Sequence, residues 1–186
     1  MKRLPLYIIT ALLLGGIVHL ATILALPRAA AQDAYARLAA LAPVNKVTPL
    51  AAPSAQTEIM PFMDPAFAVA VCRYDLSSGP LKLNAPVSQA YTSITFYTRN
   101  SIAYYAINDR AAGRRTIELD LMTPEQHADM PEEEDVTAAD RLIIESPSKT
   151  GLVMLRVLAP EPGFMPLARR ALVAAQCRSE QVQERD

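Results

Sequence analysis

The sequence has few residues of the kinds that hold metal ions. It contains two histidines and two cysteines, and His19 lies inside a long apolar run whereas His127 stands alone in a polar segment. Structural zinc sites take four Cys or His ligands, and a Ser-His-Asp hydrolase needs a histidine within reach of its serine. The sequence therefore predicts neither kind of site, and it predicts no cofactor.

The chain also lacks an excess of basic residues. It has 18 Lys and Arg against 19 Asp and Glu. Two of the bases, Lys2 and Arg3, precede the apolar run, which leaves 16 against 19 and a formal net charge of −3 for the rest. Nucleic-acid-binding domains carry a basic patch or stripe, so nucleic acid is not a predicted partner.

No charged side chain occurs in Leu4–Leu26, a run of 23 residues. As a helix with a rise of 1.5 Å per residue this run extends about 34 Å, enough to cross a hydrocarbon core of about 30 Å. Positive residues stay on the cytoplasmic side, and Lys2 and Arg3 precede the run. The sequence therefore predicts a single-pass anchor in the inner membrane, with residues 1–3 in the cytoplasm and the bulk of the chain in the periplasm.

A cleaved signal peptide is the alternative for the same segment. Ala29, Ala30 and Ala31 ahead of Gln32 fit the small-residue rule of a signal-peptidase site. The apolar core of a signal peptide is only about 7–15 residues long. The greater length of this run favours an uncleaved anchor at residues 4–26, in contact with the lipid bilayer.

One face of the apolar run carries small or polar residues at helical spacing, namely Ala11, Gly15, His19 and Thr22. Small residues four apart let two transmembrane helices approach closely, so this face is a candidate for helix pairing. The alternative is that such residues are simply frequent in membrane helices. A neutral His19 would then reach towards the outer interface.

Beyond the apolar run the composition changes twice. Residues 27–42 are rich in alanine, with Tyr35, Leu38 and Leu41 at helical spacing, which predicts a helical stalk. Residues 43–65 are rich in proline and follow neither hydrophobic period, which predicts a semi-extended linker. The remainder predicts one β-rich extracytoplasmic domain over 66–178, the usual size of a single domain, and a polar tail over 179–186.

Short runs of β type fill the predicted domain. Residues 116–122 alternate, which places Ile117, Leu119 and Leu121 on one buried face. In the loop 99–101, Asn100 tolerates a positive φ. Further strands are predicted at 66–76, 91–98, 102–107, 141–145 and 152–158, and a helix at 166–177. Because strands and helices do not alternate, the pattern favours a mainly β fold, an antiparallel β-sandwich or open barrel with a C-terminal capping helix.

Several stretches resemble one bacterial family. They are 61–80, 19–27, 33–37, the hairpin end at 105–110 and a late Cys177. Over nearly the whole chain they resemble the short membrane-anchored proteins of domain-of-unknown-function family twelve-fifty-four. The resemblance implies one amino-terminal span, an extracytoplasmic β-rich domain and two separated cysteines. It also implies a second small membrane-anchored protein of a neighbouring uncharacterised family as a partner, and it implies no activity.

The two cysteines, Cys72 and Cys177, both lie beyond the predicted export segment. A pair of thiols outside the cytoplasm meets an oxidising environment and most often forms a disulfide. Cys177 falls on the far side of the predicted closing helix from its apolar stripe, so the bond requires that helix to end before Cys177. Two free thiols are the alternative.

Four charged residues are candidates for structural ion pairs. Arg73 and Asp75 share one face of a strand, and Arg156 interrupts the apolar face of another. A buried charge needs a partner, so pairs of Asp75 with Arg156 and of Arg73 with Glu145 are predicted.

The densest polar and aromatic cluster lies at a strand end, where binding residues often occur. Its members are Tyr104, Tyr105, Asn108, Asp109 and Arg110. It is a candidate site for a partner or ligand, and an ordinary polar hairpin end explains the same residues.

These features predict a protein-interaction or structural component of the cell envelope that acts through an envelope protein partner. One alternative is a small hydrolase or carbohydrate-active enzyme with a carboxylate pair such as Asp109 and Glu118. Another is a lipid or small-molecule binding module, which needs an apolar cavity. The acidic run at 132–135 lacks the alternating ligands and turn glycine of a calcium loop, so a solvated loop is predicted there.

Overall fold

The computed structural model describes residues 3–29, 33–54, 59–112, 115–130 and 142–180. The chain divides into two compact units, Met1–Asp33 and Ala34–Asp186. The predicted cleavage site at 29–32 and the acidic run at 132–135 lie largely or wholly outside the described residues.

The first unit is the helix α1, Leu4–Ala29. Its segment Leu4–Leu26 is long and apolar enough to cross a membrane, a property that an amino-terminal signal sequence shares. The hydroxyls of Thr10 and Thr22 donate to the carbonyl oxygens of Leu6 and Val18, at 2.9 and 2.8 Å. These bonds within the helix satisfy both hydroxyls, as apolar surroundings would require.

Among its described residues, the second unit contains nine strands and four short α-helices. The strands are β1 Val47–Pro49, β2 Phe67–Asp75, β3 Leu81–Pro86, β4 Thr92–Thr98, β5 Ala103–Asn108, β6 Thr116–Met122, β7 Leu142–Glu145, β8 Thr150–Leu158 and β9 Gln176–Ser179. The helices are α2 Ala34–Ala39, α3 Asp109–Ala112, α4 Pro124–Ala128 and α5 Met165–Ala174.

The strands form two packed sheets. The first has the order β1-β2-β8-β4-β5 and the second the order β7-β6-β3-β9. Every pair is antiparallel except β6 with β7, which is parallel. The helix α5 packs against β1, β2, β3 and β8 and so contacts both sheets. The predicted mainly β sandwich with a C-terminal helix is confirmed, and the sheets do not close into a barrel.

The period-2 pattern of β6 holds on its buried face. Ile117, Leu119 and Leu121 are 2%, 1% and 0% exposed, and they pack between the two sheets. Asp120 departs from the predicted wet face, because it is only 8% exposed.

Residues 34–42 of the predicted stalk, and the described part of the predicted linker, lie in the unit Ala34–Asp186. Leu38 on α2 and Ala42 after it are buried against Val71 of β2 and Leu152 of β8, and β1 lies within the predicted linker. The physical reason is the outer face of the first sheet, which carries apolar side chains at Val71 and Leu152 that need cover. Burying them stabilises the fold by about 1.5–3 kcal/mol per large side chain.

Three local predictions need correction. The hairpin loop between β4 and β5 places the positive φ at Ser101, with φ of 61°, rather than at Asn100. The closing helix ends at Ala174, and residues 176–179 form a strand. The predicted polar tail therefore begins later, because Ser179 is still part of β9, and residues 181–186 lie outside the described chain.

Candidate functional site

The two cysteines form a disulfide between the sheets. Cys72 lies on β2 and Cys177 on β9, with their Cα atoms 6.5 Å apart and a sequence separation of 105. The residues are 0% and 6% exposed. The sequence required the closing helix to end before Cys177 for this bond to form, and α5 ends three residues before it. The bond therefore joins one sheet to the other inside the core.

The predicted polar and aromatic cluster lies on β5 and α3, but its side chains have different contacts and do not form one site. The Asn108 side chain accepts a hydrogen bond from the Ala111 amide at 2.9 Å, and Asp109 Oδ1 accepts from the Thr92 amide at 3.3 Å. Both therefore hold the local backbone. The ring of Tyr105 lies 6.0 Å from that of Phe96 and is 36% exposed. Of the five members of the predicted cluster, Tyr105 and Arg110 have exposed side chains.

Tyr104 points instead into a buried hydroxyl network. The hydroxyl of Tyr74 lies 3.1 Å from that of Tyr104 and 3.0 Å from Ser146 Oγ. The Ser146 hydroxyl donates to the Ser148 carbonyl oxygen at 2.7 Å, and the Tyr74 hydroxyl also lies 3.3 Å from the Tyr97 carbonyl oxygen, to which it can donate. Burial raises the pKa of Tyr104 well above the usual range, which keeps its phenol neutral. The network thus joins β2, β5 and the β7–β8 loop, and it supplies no ready base or nucleophile.

The glycine at 151 lies against the same network. A Cβ built there would be 2.3 Å from the Tyr74 hydroxyl and 2.3 Å from the Tyr97 carbonyl oxygen. Real Cβ atoms do not approach other atoms so closely, so this position on β8 requires glycine. The requirement comes from packing and not from an unusual backbone conformation.

The two carboxylates of the enzyme alternative, Asp109 and Glu118, accept hydrogen bonds from separate partners. Glu118 is exposed on β6 and accepts from the Asn84 side chain at 3.1 Å, whereas Asp109 begins α3 and holds the Thr92 amide. No hydrogen bond or described pocket joins the two side chains in the part of the chain that is described.

The predicted ion pairs are not formed among the described residues. Asp75 lies opposite Thr150, six residues along β8 from Arg156, which is about 20 Å at the rise of a strand. Arg73 lies on the first sheet and Glu145 on the second. The reason is topological, because sequence alone did not reveal which strands are neighbours.

Glu145 has a different partner, His127. The two side chains are 2.7 Å apart between Nδ1 and Oε1, and they connect α4 to β7. The helix α4 is itself anchored by a capping box between Thr123 and Gln126. Gln126 also donates from Nε2 to the Leu76 carbonyl oxygen at 2.8 Å. The pair is therefore part of a local structural contact.

Sequence reasoning missed a pocket on the outer face of the first sheet. It has a volume of about 200 Å³ and is lined by the 60–64 segment together with β2 and β8, including Met60, Phe62, Met63, Phe67, Met154 and Arg156. The 60–64 segment was predicted as linker, so its side chains were not considered. The one available signal was Arg156, which interrupts an apolar strand face.

The fold and these contacts define a β-sandwich with an internal disulfide, preceded by an apolar helix. The family model described as "Protein of unknown function (DUF1254)" matches residues 44–177. The match covers well over half of the chain, so the chain belongs to this family. No curated protein matches the chain.

Two solved structures are similar to this chain. One is the VPA0106 protein from Vibrio parahaemolyticus, at a TM-score of 0.56 and 13% identity, covering 77% of this chain and 35% of that chain. The other is an uncharacterized protein from Burkholderia cenocepacia, at 0.45 and 14%, covering 75% of this chain and 35% of that chain. This chain thus spans about a third of the length of those proteins. The likeness to the Vibrio protein shows a shared fold and nothing further.

Proposed function

We propose that this protein is a membrane-anchored, extracytoplasmic component of the cell envelope whose β-sandwich binds a protein partner along the edge of β5. The helix α1 supports the anchor by its length and apolar composition. The disulfide Cys72–Cys177 supports an oxidising compartment. The β5 edge supports the partner, and it is the observation that carries the proposal.

The two sheets end in four edge strands, which differ in how well they are protected. The edge β1 has three residues and includes Pro49, while β7 and β9 have four residues each. The edge β5 has six residues and carries neither proline nor lysine. Natural sheets avoid unwanted pairing with short edges, proline and charge. Among the described edges, β5 is therefore the one best suited to accept another strand.

The residues on and beside β5 are also accessible. Ala103, Tyr105 and Ala106 are exposed, and the preceding Ile102 is 62% exposed. Within the described chain, β5 pairs with β4 alone, so backbone groups along its other side face outward. A partner strand added there would gain main-chain hydrogen bonds, with the side chain of Tyr105 as a contact. We infer a partner that offers an extended segment, such as a second small membrane-anchored protein.

Replacing Ala106 with lysine is expected to abolish binding of the partner and leave the fold intact. Ala106 is an exposed edge position, and a lysine there obstructs edge-to-edge pairing. The measurement is photocrosslinking in intact membranes from a benzophenone amino acid at position 105, with the adduct identified by mass spectrometry. The adduct should fall by about tenfold or more, the equivalent of roughly 1.4 kcal/mol.

The matched control is Gln176→Lys, an exposed position on the opposite sheet's edge strand β9. This variant should keep the adduct at the wild-type level. Equal yields from Ala106→Lys and wild type, or an equal loss in the control, would count against β5 as the interface.

The anchor itself has a separate test. Protein recovered from the membrane fraction should keep its amino terminus and its full mass of 20.3 kDa, because the apolar run is too long for the core of a signal peptide. It should also resist extraction by alkaline carbonate, as an integral protein does. A mature chain that begins at Gln32 would show cleavage and remove the anchor from the proposal.

A further inference from the structure

The pocket on the outer face of the first sheet lies outside the proposed interface. Met60, Met63 and Met154 contribute to its lining together with Phe67. Methionine side chains are flexible and adapt to the shape of an apolar ligand. At about 200 Å³ the pocket is smaller than the roughly 300–1,000 Å³ of sites for drug-sized molecules. It therefore suits one narrow apolar chain and not a two-chain lipid.

One cation, Arg156, lies in this apolar lining. Its Nε atom is buried and has no hydrogen-bond partner among the described residues, and none of the described Asp or Glu residues forms a salt bridge with it at 4.0 Å or less. Its guanidinium carbon lies 5.9 Å from the centroid of the Phe67 ring. A half-buried guanidinium gains most from a carboxylate that it can bind with two parallel hydrogen bonds.

A second buried polar atom without a partner belongs to the register neighbour of Arg156. Ser93 on β4 lies directly opposite Arg156 on β8 in the sheet register. Ser93 is 5% exposed, and its Oγ has no hydrogen-bond partner among the described residues. Buried polar atoms are normally paired. Ser93 is a register neighbour of Arg156 and not one of the residues that line the pocket, so the proposed contact with an anion rests on Arg156.

The 60–64 segment adds an aromatic ring at the pocket. Phe62 is 100% exposed and has a φ of 62°, a left-handed conformation that bulky residues rarely adopt. Such local strain occurs preferentially at ligand-binding segments. An exposed phenyl ring beside an apolar pocket supplies a contact for the part of a chain that extends beyond it.

From these observations we propose that the pocket binds a single-chain amphiphile with a carboxylate head, such as a long-chain fatty acid. The carboxylate pairs with Arg156, the first methylene groups lie among the methionines and Phe67, and the rest of the chain crosses Phe62. Asp64 also lines the pocket. Its Oδ1 accepts from the Ala66 amide at 2.9 Å, and it is exposed, so water and salt screen its charge more than that of Arg156.

The test uses the full chain in nanodiscs and a palmitate that carries a photoreactive diazirine. Mass spectrometry then measures labelling of peptides from 59–69 and 150–158, which separates the pocket from α1. Palmitate should label these peptides, and the matched hexadecanol probe should label them about tenfold less, because a charge-assisted hydrogen bond is worth at least that factor. Arg156→Gln should reduce palmitate labelling by a similar factor.

Arg73→Gln is the matched control, because the Arg73 Nε on the same sheet is also buried without a partner but does not line the pocket. This variant should keep full labelling. Asp64→Asn keeps an acceptor for Ala66 and removes a repulsive charge, so it should increase labelling about two-fold. This second variant reports on binding even if Arg156→Gln lowers stability.

Equal labelling by palmitate and hexadecanol would overturn the proposal, and so would palmitate labelling of Arg156→Gln at the wild-type level. Labelling of Asp64→Asn below the wild-type level would also overturn it. Stronger labelling of the pocket by a diazirine phosphatidylglycerol than by palmitate would do the same. Protection of the pocket in native membranes but not in nanodiscs would show a protein occupant and would also overturn it. Ala106→Lys should leave labelling unchanged, so a failure of the β5 interface and a failure of this site are distinguishable.

Discussion

Replacing Gly151 with alanine is expected to lower the free energy of unfolding by about 3 kcal/mol, at the upper end for overpacked cores. The new Cβ would be 2.3 Å from both the Tyr74 hydroxyl and the Tyr97 carbonyl oxygen. Tyr74 is 0% exposed and held by Ser146 and Tyr104, so it cannot move without breaking the network. The measurement is urea unfolding of the unit Ala34–Asp186, expressed without α1.

Gly163 gives the matched control, because a Cβ there meets no atom within 4 Å. Gly163→Ala should change stability by less than about 0.5 kcal/mol, as surface substitutions do. Tyr74→Phe in the Gly151→Ala background removes one of the two close contacts and should recover part of the loss. A Gly151→Ala protein as stable as wild type would mean that the close packing around the Tyr74 hydroxyl is not present in solution.

The strands that could be predicted from sequence are those with a strong local pattern. The faultless alternation of β6 and the long apolar run of β8 both gave their strands within two residues. The strand β3 was missed although Leu81, Leu83 and Ala85 alternate and are buried. Its half-buried positions carry Lys82 and Asn84, which local propensity places outside strands, and only pairing with both β6 and β9 makes it central.

The strand β9 could not have been found from local pattern. Its four residues contain one buried side chain, Cys177, and they follow a helix without a glycine or proline to mark the end. Its conformation is set by pairing with β3 and by the bond to Cys72. Both are contacts between residues far apart in sequence, and a repeating hydrophobic pattern along the chain does not indicate such contacts.

The same limit applies to the candidate sites. The sequence singled out Arg156 as a charge on an apolar face, and it singled out the β5 end as rich in polar and aromatic residues. It assigned Arg156 a carboxylate partner, because strand order was not known. The register that places Ser93 beside Arg156, and the fold of 60–64 over both strands, arise only when distant segments come together. A single residue can thus be identified as unusual, whereas its surroundings depend on topology.

Replacing either cysteine with alanine is expected to lower the free energy of unfolding by about 4 kcal/mol. The bond closes a loop of 105 residues, and in the chain-entropy model a loop of this length is worth roughly 4–5 kcal/mol. The effect is large for this fold because the bond joins β2 of one sheet to β9 of the other, and β9 is a four-residue edge strand held otherwise by β3 alone. Loss of the bond should release β9 first.

A double-mutant cycle separates the bond from the two side chains. Cys72→Ala and Cys177→Ala should each cause nearly the full loss, and the double variant should be no less stable than either single one, because each change breaks the same bond. Additive losses would assign the stability to packing of two apolar residues and not to a covalent link. The direct measurement is alkylation of unreduced, unfolded protein taken from the cells that make it. Both sulfurs should resist the label until a reductant is added, and labelling of both without reductant would show that the thiols are free where the protein works.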